Sequence, residues 1–392
     1  MKRNLLFFMI VSLLFLCGCN EPKHIFVASH IIDINDPIEV SIDELLTDFD
    51  TIRLEVNNES IMKNIIILHI MDGRFYIVSN DKKSIFIFEQ NGKYVNKIED
   101  RGQGPKEYII IHDMQIDPVK KRIIITDAFS KRILVYDRDG KQTDVIQLKF
   151  FPTSIVAFNN GFININTFKN YNKNTQMDNY HVHFLDSIGN FVSSAINNNL
   201  KKDIDINSQF SIEVINDSEI LYQPPLSNIV YKINDEEIIP YYELSNKSKY
   251  KLLNKKEREK FEYKYGKRNT LKEKEDLGYL LSWGEILEMN EIVSFIFRGE
   301  DICRHIFFDK NSKKSYFIDP KRLKGEKNTI EFFFNYIYAV NDDRFYIAPS
   351  EHIVAMLGGN ISIKDETIKT FLNNLNYDSN PPLISFKIKF PD

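Results

Sequence analysis

The sequence repeats itself with an offset of 48 residues. Residues 77–93 read IVSNDKKSIFIFEQNGK, and residues 125–141 read ITDAFSKRILVYDRDGK. Each copy has two strand-like stretches around a polar turn, and each places a glycine (Gly92 or Gly140) before its final lysine. One such unit cannot bury its own apolar face, so neighbouring copies must pack on each other. A period of about 45 to 50 residues with several short strands predicts the four-stranded blade of a β-propeller.

The repeat recurs further along the chain. Residues 230–233 (VYKI) repeat the strand at 85–88 after 145 residues, which is close to three periods. Residues 342–347 (DDRFYI) echo residues 72–77 (DGRFYI), so the last blade plays the same role as the first. We therefore predict an all-β chain in which residues 41–392 form a six-bladed β-propeller of four-stranded antiparallel blades.

Two further features belong to the predicted ring. Residues 51–56 alternate like a strand, and we expect them to pair beside the blade that contains Ile347 and residues 383–390, because an open ring would leave two unpaired edges. The densely charged stretch 245–277 interrupts the period, and it predicts a short helical insert between blades four and five. A solvated excursion is favoured there over a docking patch for an anionic partner.

The N-terminus has the pattern of a secretion signal. A basic start precedes an apolar stretch at residues 5–16, which is too short to span a bilayer as a helix. The following Cys17-Gly18-Cys19 resembles the bacterial lipobox, in which small residues precede an acylated cysteine. We predict a lipoprotein signal peptide at 1–18, a lipid on Cys19 and a polar tether at 19–40. An ordinary signal peptide and an uncleaved anchor are the alternatives.

These features predict an extracytoplasmic protein that is lipid-anchored to the bacterial cell envelope, with the outer membrane favoured. The membrane is then a partner through the N-terminal lipid. The net charge of −4 gives no electrostatic reason to expect nucleic acid. No disulfide is expected in the mature chain, because Cys19 is modified and Cys303 stands alone. We expect a monomer without a cofactor.

The segment 101–108, RGQGPKEY, joins the first two blades. Gly102, Gly104 and Pro105 predict a tight turn with special backbone angles. The Lys-Ser/Thr ending of a phosphate loop is missing and no helix follows, so a structural role is favoured over ligand contact.

Motifs of the second blade together resemble the NHL repeat. They are the glycine-rich entry at 102–105, an apolar pair before Asp117, a strand that ends in Asp127, and the stretch RILVYD at 132–137 followed by Gly140. Taken with the lipobox, the mature chain resembles the bacterial six-bladed propeller lipoproteins, a family of largely undefined function. The resemblance implies ligand binding at the mouth of the central channel, where related lactonase-like propellers place metal ions.

Candidate ligand-binding residues are those that enter the innermost strand of each blade. They are Asn64, His112, Asp113, Trp283, Glu285 and Asn335. His181 and His183 share one face of a strand, and a packed pair is favoured over a metal site there. No Ser-His-Asp grouping, zinc spacing, nucleotide loop or EF-hand is recognisable in the sequence.

Two functions remain open from these residues. We favour a non-catalytic module that binds a glycan or a partner protein through the channel mouth and the insert, because aromatic and amide side chains suit such ligands. The alternative is a metal-dependent hydrolase or lyase that uses His112, Asp113 and Glu285. Its chemistry requires three or more ligands that converge on one ion and leave a position open for water.

Overall fold

A computed structural model shows how the chain folds. It describes residues 28–34, 37–40, 42–165, 176–198, 212–245 without 217, 251–261, 273–298 without 275, 303–318, 337–349 without 342, and 380–391, together with residues 366 and 370. The predicted signal peptide, Cys19 and Asn335 lie outside the described residues.

Strands make up most of the described chain, and the first elements precede blade one. These are β1 (His30–Asp33), β2 (Ile38–Glu39), the helical turn α1 (Ile42–Leu45) and β3 (Leu46–Ile52). Blade one consists of β4 (Ile65–Met71), β5 (Arg74–Ser79), β6 (Ile85–Glu89) and β7 (Tyr94–Ile98). Blade two consists of β8 (Asp113–Asp117), β9 (Arg122–Asp127), β10 (Arg132–Asp137) and β11 (Gln142–Gln147). Blade three consists of β12 (Ser154–Phe158), β13 (Gly161–Ile165), β14 (Tyr180–Leu185) and β15 (Phe191–Asn197), with a 3-10 turn at Gln176–Asn179.

The remaining blades follow the same antiparallel order. Blade four consists of β16 (Ile212–Asn216), β17 (Glu219–Tyr222), β18 (Ile229–Asn234) and β19 (Ile238–Ser245). After helix α2 (Lys255–Lys260), blade five consists of β20 (Ser282–Met289), β21 (Ile292–Arg298), β22 (Cys303–Asp309) and β23 (Ser315–Ile318). Blade six consists of β24 (Ile337–Asn341), β25 (Arg344–Ile347), β26 (Leu383–Ile388) and the early strand β3.

The predicted six-bladed, all-β propeller is confirmed. The first strand of each blade lies innermost: β4 contacts β8 and β24, β8 contacts β12, and β20 contacts β16 and β24. Because strands alternate in direction within a blade, the ring has two distinct ends. We call the end with the turns at 72–73, 91–92 and 138–140 the hairpin end, and the end with loop 128–131 and the connection 99–112 the linker end.

Ring closure is achieved as predicted, but the closing strand lies a few residues earlier in the chain than predicted. β3 pairs antiparallel with β26, from Leu383 opposite Ile52 to Ile388 opposite Leu46. The predicted strand at 51–56 is therefore wrong in its boundaries. Residues beyond β3 already cross to blade one, since the Glu55 N–H donates to the carbonyl oxygen of Gly92 (2.8 Å).

Part of the segment 19–40, expected to be a tether, belongs to the ring. β1 pairs in parallel with β19 of blade four, and β2 pairs in parallel with β23 of blade five. Ile32 and Ile34 are fully buried against the core between these two blades. The two strands cover outer blade edges that would otherwise present unpaired backbone groups.

The core lies between the faces of neighbouring blades. Between blades one and two, Tyr76 and Ile87 pack against Ile123 and Tyr136, all of them fully buried. The Tyr76 hydroxyl donates to the carbonyl oxygen of Arg138 (3.0 Å), so the buried ring keeps a hydrogen-bond partner at the hairpin end. The branched and aromatic side chains of the repeat therefore hold successive blades together.

The repeated glycine is required by the turn before the fourth strand. Gly92 and Gly140 both have a φ of +85°, where a side chain is strained. Each glycine donates its N–H to the carbonyl three residues earlier, at 2.8 Å for Gly92 and 3.1 Å for Gly140. The 48-residue repeat is thus a repeat of hairpin geometry.

The described part of the insert is tied to the ring. Helix α2 begins with a capping box, in which Glu257 N–H donates to Asn254 Oδ1 (3.1 Å) and Asn254 N–H donates to Glu257 Oε2 (2.8 Å). Leu253 and Phe261 flank the helix and pack against Leu281 of the ring. Among the described residues, no helix is long and apolar enough to cross a bilayer.

Candidate functional site at the channel and its mouth

The predicted channel-mouth residues do not form one site. Of the five that the structure describes, Asp113 alone lines the axial cavity discussed below. Asn64 is exposed just before β4, where its carbonyl oxygen accepts the N–H of Asn80 (2.8 Å). Asn64 therefore helps to shape the linker end, while its side chain faces solvent.

Glu285 is engaged in an ion pair. Its carboxylate is 4% exposed and receives two hydrogen bonds from Arg298, from Nε to Oε2 (2.8 Å) and from Nη2 to Oε1 (2.6 Å). Such a bidentate pair between β20 and β21 stabilises blade five internally. Blade five stands across the ring from blade two, which carries His112 and Asp113. The three residues of the hydrolase hypothesis thus do not converge, and the described residues contain no group of three His, Cys, Asp or Glu placed to hold a metal ion.

Trp283 contributes to packing against the insert. It lies in an irregularity of the β20–β21 pairing between Ser282 and Glu285, where Gly284 has a φ of +94°. A bulge of this kind re-aims the side chains on either side of it. The indole ring packs against the buried cluster of Leu226, Leu253, Phe261 and Leu281, which joins the insert to the ring.

His112 stands at the linker end of blade two in a well-defined setting. Its Nδ1 accepts the backbone N–H of Ala128 (3.1 Å), so the proton of the neutral ring is on Nε2. Burial lowers the pKa of His112, and the carboxylate of Asp127, 3.8 Å away, opposes that shift. The ring packs edge-to-face on Phe129, with the two ring centres 4.8 Å apart.

The turn at 101–108 is held by its own side chains. Gly104 N–H donates to Glu107 Oε2 (2.7 Å), and a Cβ on Gly102 would lie 1.9 Å from that same oxygen. Arg132 Nη1 donates to the carbonyl oxygens of Gly104 (2.7 Å) and Glu107 (2.9 Å). Gly102, Gly104 and Pro105 therefore lie in a turn whose hydrogen bonds join the connection to β10.

A cavity of about 110 Å³ lies on the axis of the ring. The described residues that line it come from the inner strands of five blades: Ile67, His69, Ile70, Asp113, Gln115, Ile212, Glu213, Leu287, Ala339 and Val340. Six of these side chains are aliphatic and four are polar. The cavity thus combines an apolar wall with a small set of polar groups, as small-molecule sites commonly do.

Asp113 is the buried carboxyl group of this cavity. It is 5% exposed, accepts the Ser154 hydroxyl of blade three, and accepts Gln115 Nε2 (3.1 Å). Burial raises the pKa of Asp113 to about 6, although both hydrogen bonds favour the charged form. The carboxyl group therefore titrates close to neutral pH.

Glu213 and His69 were not identified from the sequence. Burial, with a smaller effect of the Glu288 carboxylate, raises the pKa of Glu213 to about 8. His69 Nε2 lies 2.9 Å from the carbonyl oxygen of Met114, to which it donates, and burial lowers the pKa of the ring to about 4. At neutral pH, His69 is uncharged and Glu213 is largely protonated. The sequence signal for both is a single ionisable residue within an otherwise apolar strand.

The histidines of β14 do not face the channel. His183 is fully buried in blade three, and its Nδ1 lies 2.8 Å from the Ser194 hydroxyl on the neighbouring strand. Burial lowers the pKa of His183 to about 4. The ring of His181 packs near Tyr222 of blade four, with centres 6.0 Å apart. Both rings are thus part of the packing around blade three.

Comparison with known proteins supports the propeller fold. A crystal structure of a Bacteroides fragilis protein for which export has been proposed superposes with a TM-score of 0.72 at 18% identity, covering 92% of this chain and 99% of that one. A DUF4221 family member from Bacteroides vulgatus superposes with a TM-score of 0.52 at 11% identity, covering 89% and 99%. At these identities the likeness concerns the fold. No curated protein matches the sequence. Residues 26–387 match the family described as a domain of unknown function, DUF4934, and the chain belongs to that family.

Proposed function

We propose that this protein is a non-catalytic binding module, held outside the cytoplasm by a lipid on Cys19, whose ligand docks at the linker end of blade two. The docking surface is Ile109, His112 and Phe129, which we call the rim cluster. The observation that carries the proposal is an exposed aromatic side chain that packs on a neighbour: Phe129 is 62% exposed, and its ring contacts His112 edge-to-face. Exposed aromatic groups held in one conformation bind ligands with little loss of side-chain entropy.

Asp127 fixes the rim cluster from below. This fully buried carboxylate accepts the N–H of Phe129 (3.1 Å), the hydroxyl of Ser130 (2.6 Å) and the N–H of Ile109 (2.7 Å). One side chain therefore joins the loop 128–131 to the connection that enters blade two. The Asp127 of the repeat motif thus has a structural role, which is to hold the residues that would meet the ligand.

The chemistry of the rim cluster favours a glycan. Phe129 and Ile109, which is 38% exposed, offer a flat apolar surface for the apolar face of a sugar ring. The His112 ring adds a polar edge beside this surface, and its Nδ1 is occupied by Ala128 N–H. A partner protein is the other occupant of the proposal, and the experiment below distinguishes the two.

Glycan-array binding of the purified mature domain tests the rim cluster. We expect Phe129→Ala to weaken binding about tenfold or more, equivalent to about 1.4 kcal/mol. Phe191→Ala is the matched control, since Phe191 is 43% exposed on the outer strand of blade three. Equal losses in both variants, or none in either, would refute the rim cluster. Capture of a protein that depends on Phe129, with no glycan bound, would assign the partner-protein reading.

The anchor is supported by the basic start, the short apolar stretch and the Cys17-Gly18-Cys19 sequence. Two or more acyl chains hold a soluble domain on a membrane at about 0.8 kcal/mol per buried methylene group. We expect Cys19→Ala to move the protein from membranes to the soluble fraction, while Cys17→Ala leaves it on membranes. Membrane retention of the Cys19→Ala protein, with no acyl mass on the wild type, would refute the anchor.

A further inference from the structure

The axial cavity has a wall suited to an alkyl chain. Six aliphatic residues line it, contributed by β4, β16, β20 and β24. A water molecule needs on the order of 10–15 Å³ of such space, so the cavity of about 110 Å³ has room for several waters or one small organic molecule. Displacing water from this aliphatic wall would favour a ligand with an apolar part.

The polar groups of the cavity are suited to a cation. Asp113 and Glu213 bring two carboxyl groups from blades two and four, and the described lining residues include neither lysine nor arginine. His69 adds no positive charge, because its Nε2–H donates to Met114 and burial disfavours protonation. An anionic ligand would meet the Asp113 carboxylate with no lysine or arginine among the described lining residues to offset it, which is unfavourable.

Two of these groups lack partners within the described part of the chain. Gln115 is 6% exposed and donates from Nε2 to Asp113, yet its amide oxygen accepts no hydrogen bond from a described residue. Glu213 forms neither a hydrogen bond nor an ion pair with a described residue, although burial raises its pKa to about 8. Both groups line the cavity, so each keeps hydrogen-bond acceptors for a ligand with several N–H donors.

We propose that the axial cavity binds a small aliphatic amine in its ammonium form. The ammonium group donates to carboxyl oxygens of Asp113 and Glu213 and to the amide oxygen of Gln115, and the alkyl chain contacts the aliphatic wall. The site is separate from the rim cluster and does not depend on it. An organic cation fits better than a bare metal ion, because the described residues contain no set of three metal ligands.

Isothermal titration calorimetry on the intact mature protein tests this assignment, with n-butylamine as ligand and n-butanol as its uncharged counterpart. We expect the amine to bind at least tenfold more tightly than the alcohol. Glu213→Gln and Asp113→Asn should each weaken amine binding about tenfold, whereas Glu236→Gln, on an exposed turn of blade four, should leave it unchanged.

Each result of the titrations either supports or overturns the amine site. Glu213→Gln should fold even if Asp113→Asn does not, because Glu213 has no described partner to lose. Binding of butanol as tight as that of butylamine, or unchanged amine binding in Glu213→Gln, overturns the assignment. Failure of butylamine to bind overturns the assignment as well. Tight binding of Ca²⁺ that depends on the same two carboxyl groups would replace the amine site by a metal site.

Discussion

Gly92→Ala is expected to destabilise the protein strongly, because the turn before β7 touches the chain that closes the ring. An added Cβ would lie 2.1 Å from the carbonyl oxygen of Arg53, far inside contact distance. Gly92 has a φ of +85°, which costs about 1–2 kcal/mol for a residue with a side chain. Relief of the clash requires a backbone shift that disrupts the Glu55–Gly92 hydrogen bond (2.8 Å), at a further cost of about 1–3 kcal/mol.

Gly73→Ala provides a matched control in the same blade. Its φ of +71° carries the same backbone strain, but the nearest atom to an added Cβ is Gln90 Oε1 at 3.6 Å. We expect unfolding free energies to fall by about 1–2 kcal/mol for Gly73→Ala and by about 2–5 kcal/mol for Gly92→Ala. Urea unfolding can be followed through Trp283, the one tryptophan of the chain. Equal losses in the two variants would refute the contact between this turn and the closing segment.

Two further predictions concern buried carboxyl groups. Arg298→Met leaves Glu285 without its ion-pair partner and should lower the unfolding free energy by about 3–5 kcal/mol. The double variant Arg298→Met/Glu285→Gln should recover part of this loss, and no recovery would contradict the pairing. The raised pKa of Glu213, about 8 against 4.5, means that the folded state holds this proton more tightly, so stability should fall as pH rises from about 5 to 8. The unfolding free energy, measured with urea across that range, should fall less steeply with pH in Glu213→Gln than in the wild type. Identical slopes would contradict the raised pKa of Glu213. Glu288, paired with Lys310, is the nearby charge that contributes to it.

The fold was predictable because its local geometry repeats. Gly92 and Gly140 recur at the same step of the hairpin with the same φ of +85°, and the apolar residues between them recur as blade faces. The closing strand was predicted a few residues too late in the chain. It pairs with β26, and Arg344 supports this pairing because its Nη1 donates to Asp48 Oδ2 (2.8 Å). β1 and β2 were missed because they are short and pair with strands more than two hundred residues further on. The alternation of apolar and polar residues within a short stretch does not show which distant strand that stretch pairs with.

The site was less predictable, because its residues meet only across strands and blades. Asp113 was found since it opens an inner strand. Glu285 lies in the first half of another inner strand, but strand pairing brings Arg298 within 2.6 Å, and the carboxylate forms an ion pair. Trp283 lies in an irregularity of the β20–β21 pairing, and no sequence motif predicts this irregularity. Glu213 joins Asp113 only because blades two and four face the same axis, which is a property of the closed ring.

The N-terminal strand fixes which end of the ring would face a membrane. β1 runs parallel to β19, the fourth strand of its blade, so it starts at the hairpin end. Just before it, Ser29 N–H donates to the carbonyl oxygen of Pro240 (3.2 Å). The ten residues from Cys19 to Ser29 span at most about 36 Å when extended. A lipid on Cys19 would therefore bring the hairpin end nearest to the bilayer.

The rim cluster lies at the opposite end, so the proposed anchor and the proposed ligand site are compatible: the membrane would hold one end of the ring while the other faces outward. A fluorophore on Asp139→Cys at the hairpin end, in a lipidated protein on vesicles, should be quenched more strongly by nitroxide-labelled lipids than the same fluorophore on Phe129→Cys. Both variants carry Cys303→Ser, so that one thiol is labelled in each. Stronger quenching at position 129 would show that β1 does not set the orientation, and it would place the rim cluster against the bilayer, where a soluble glycan could not reach it.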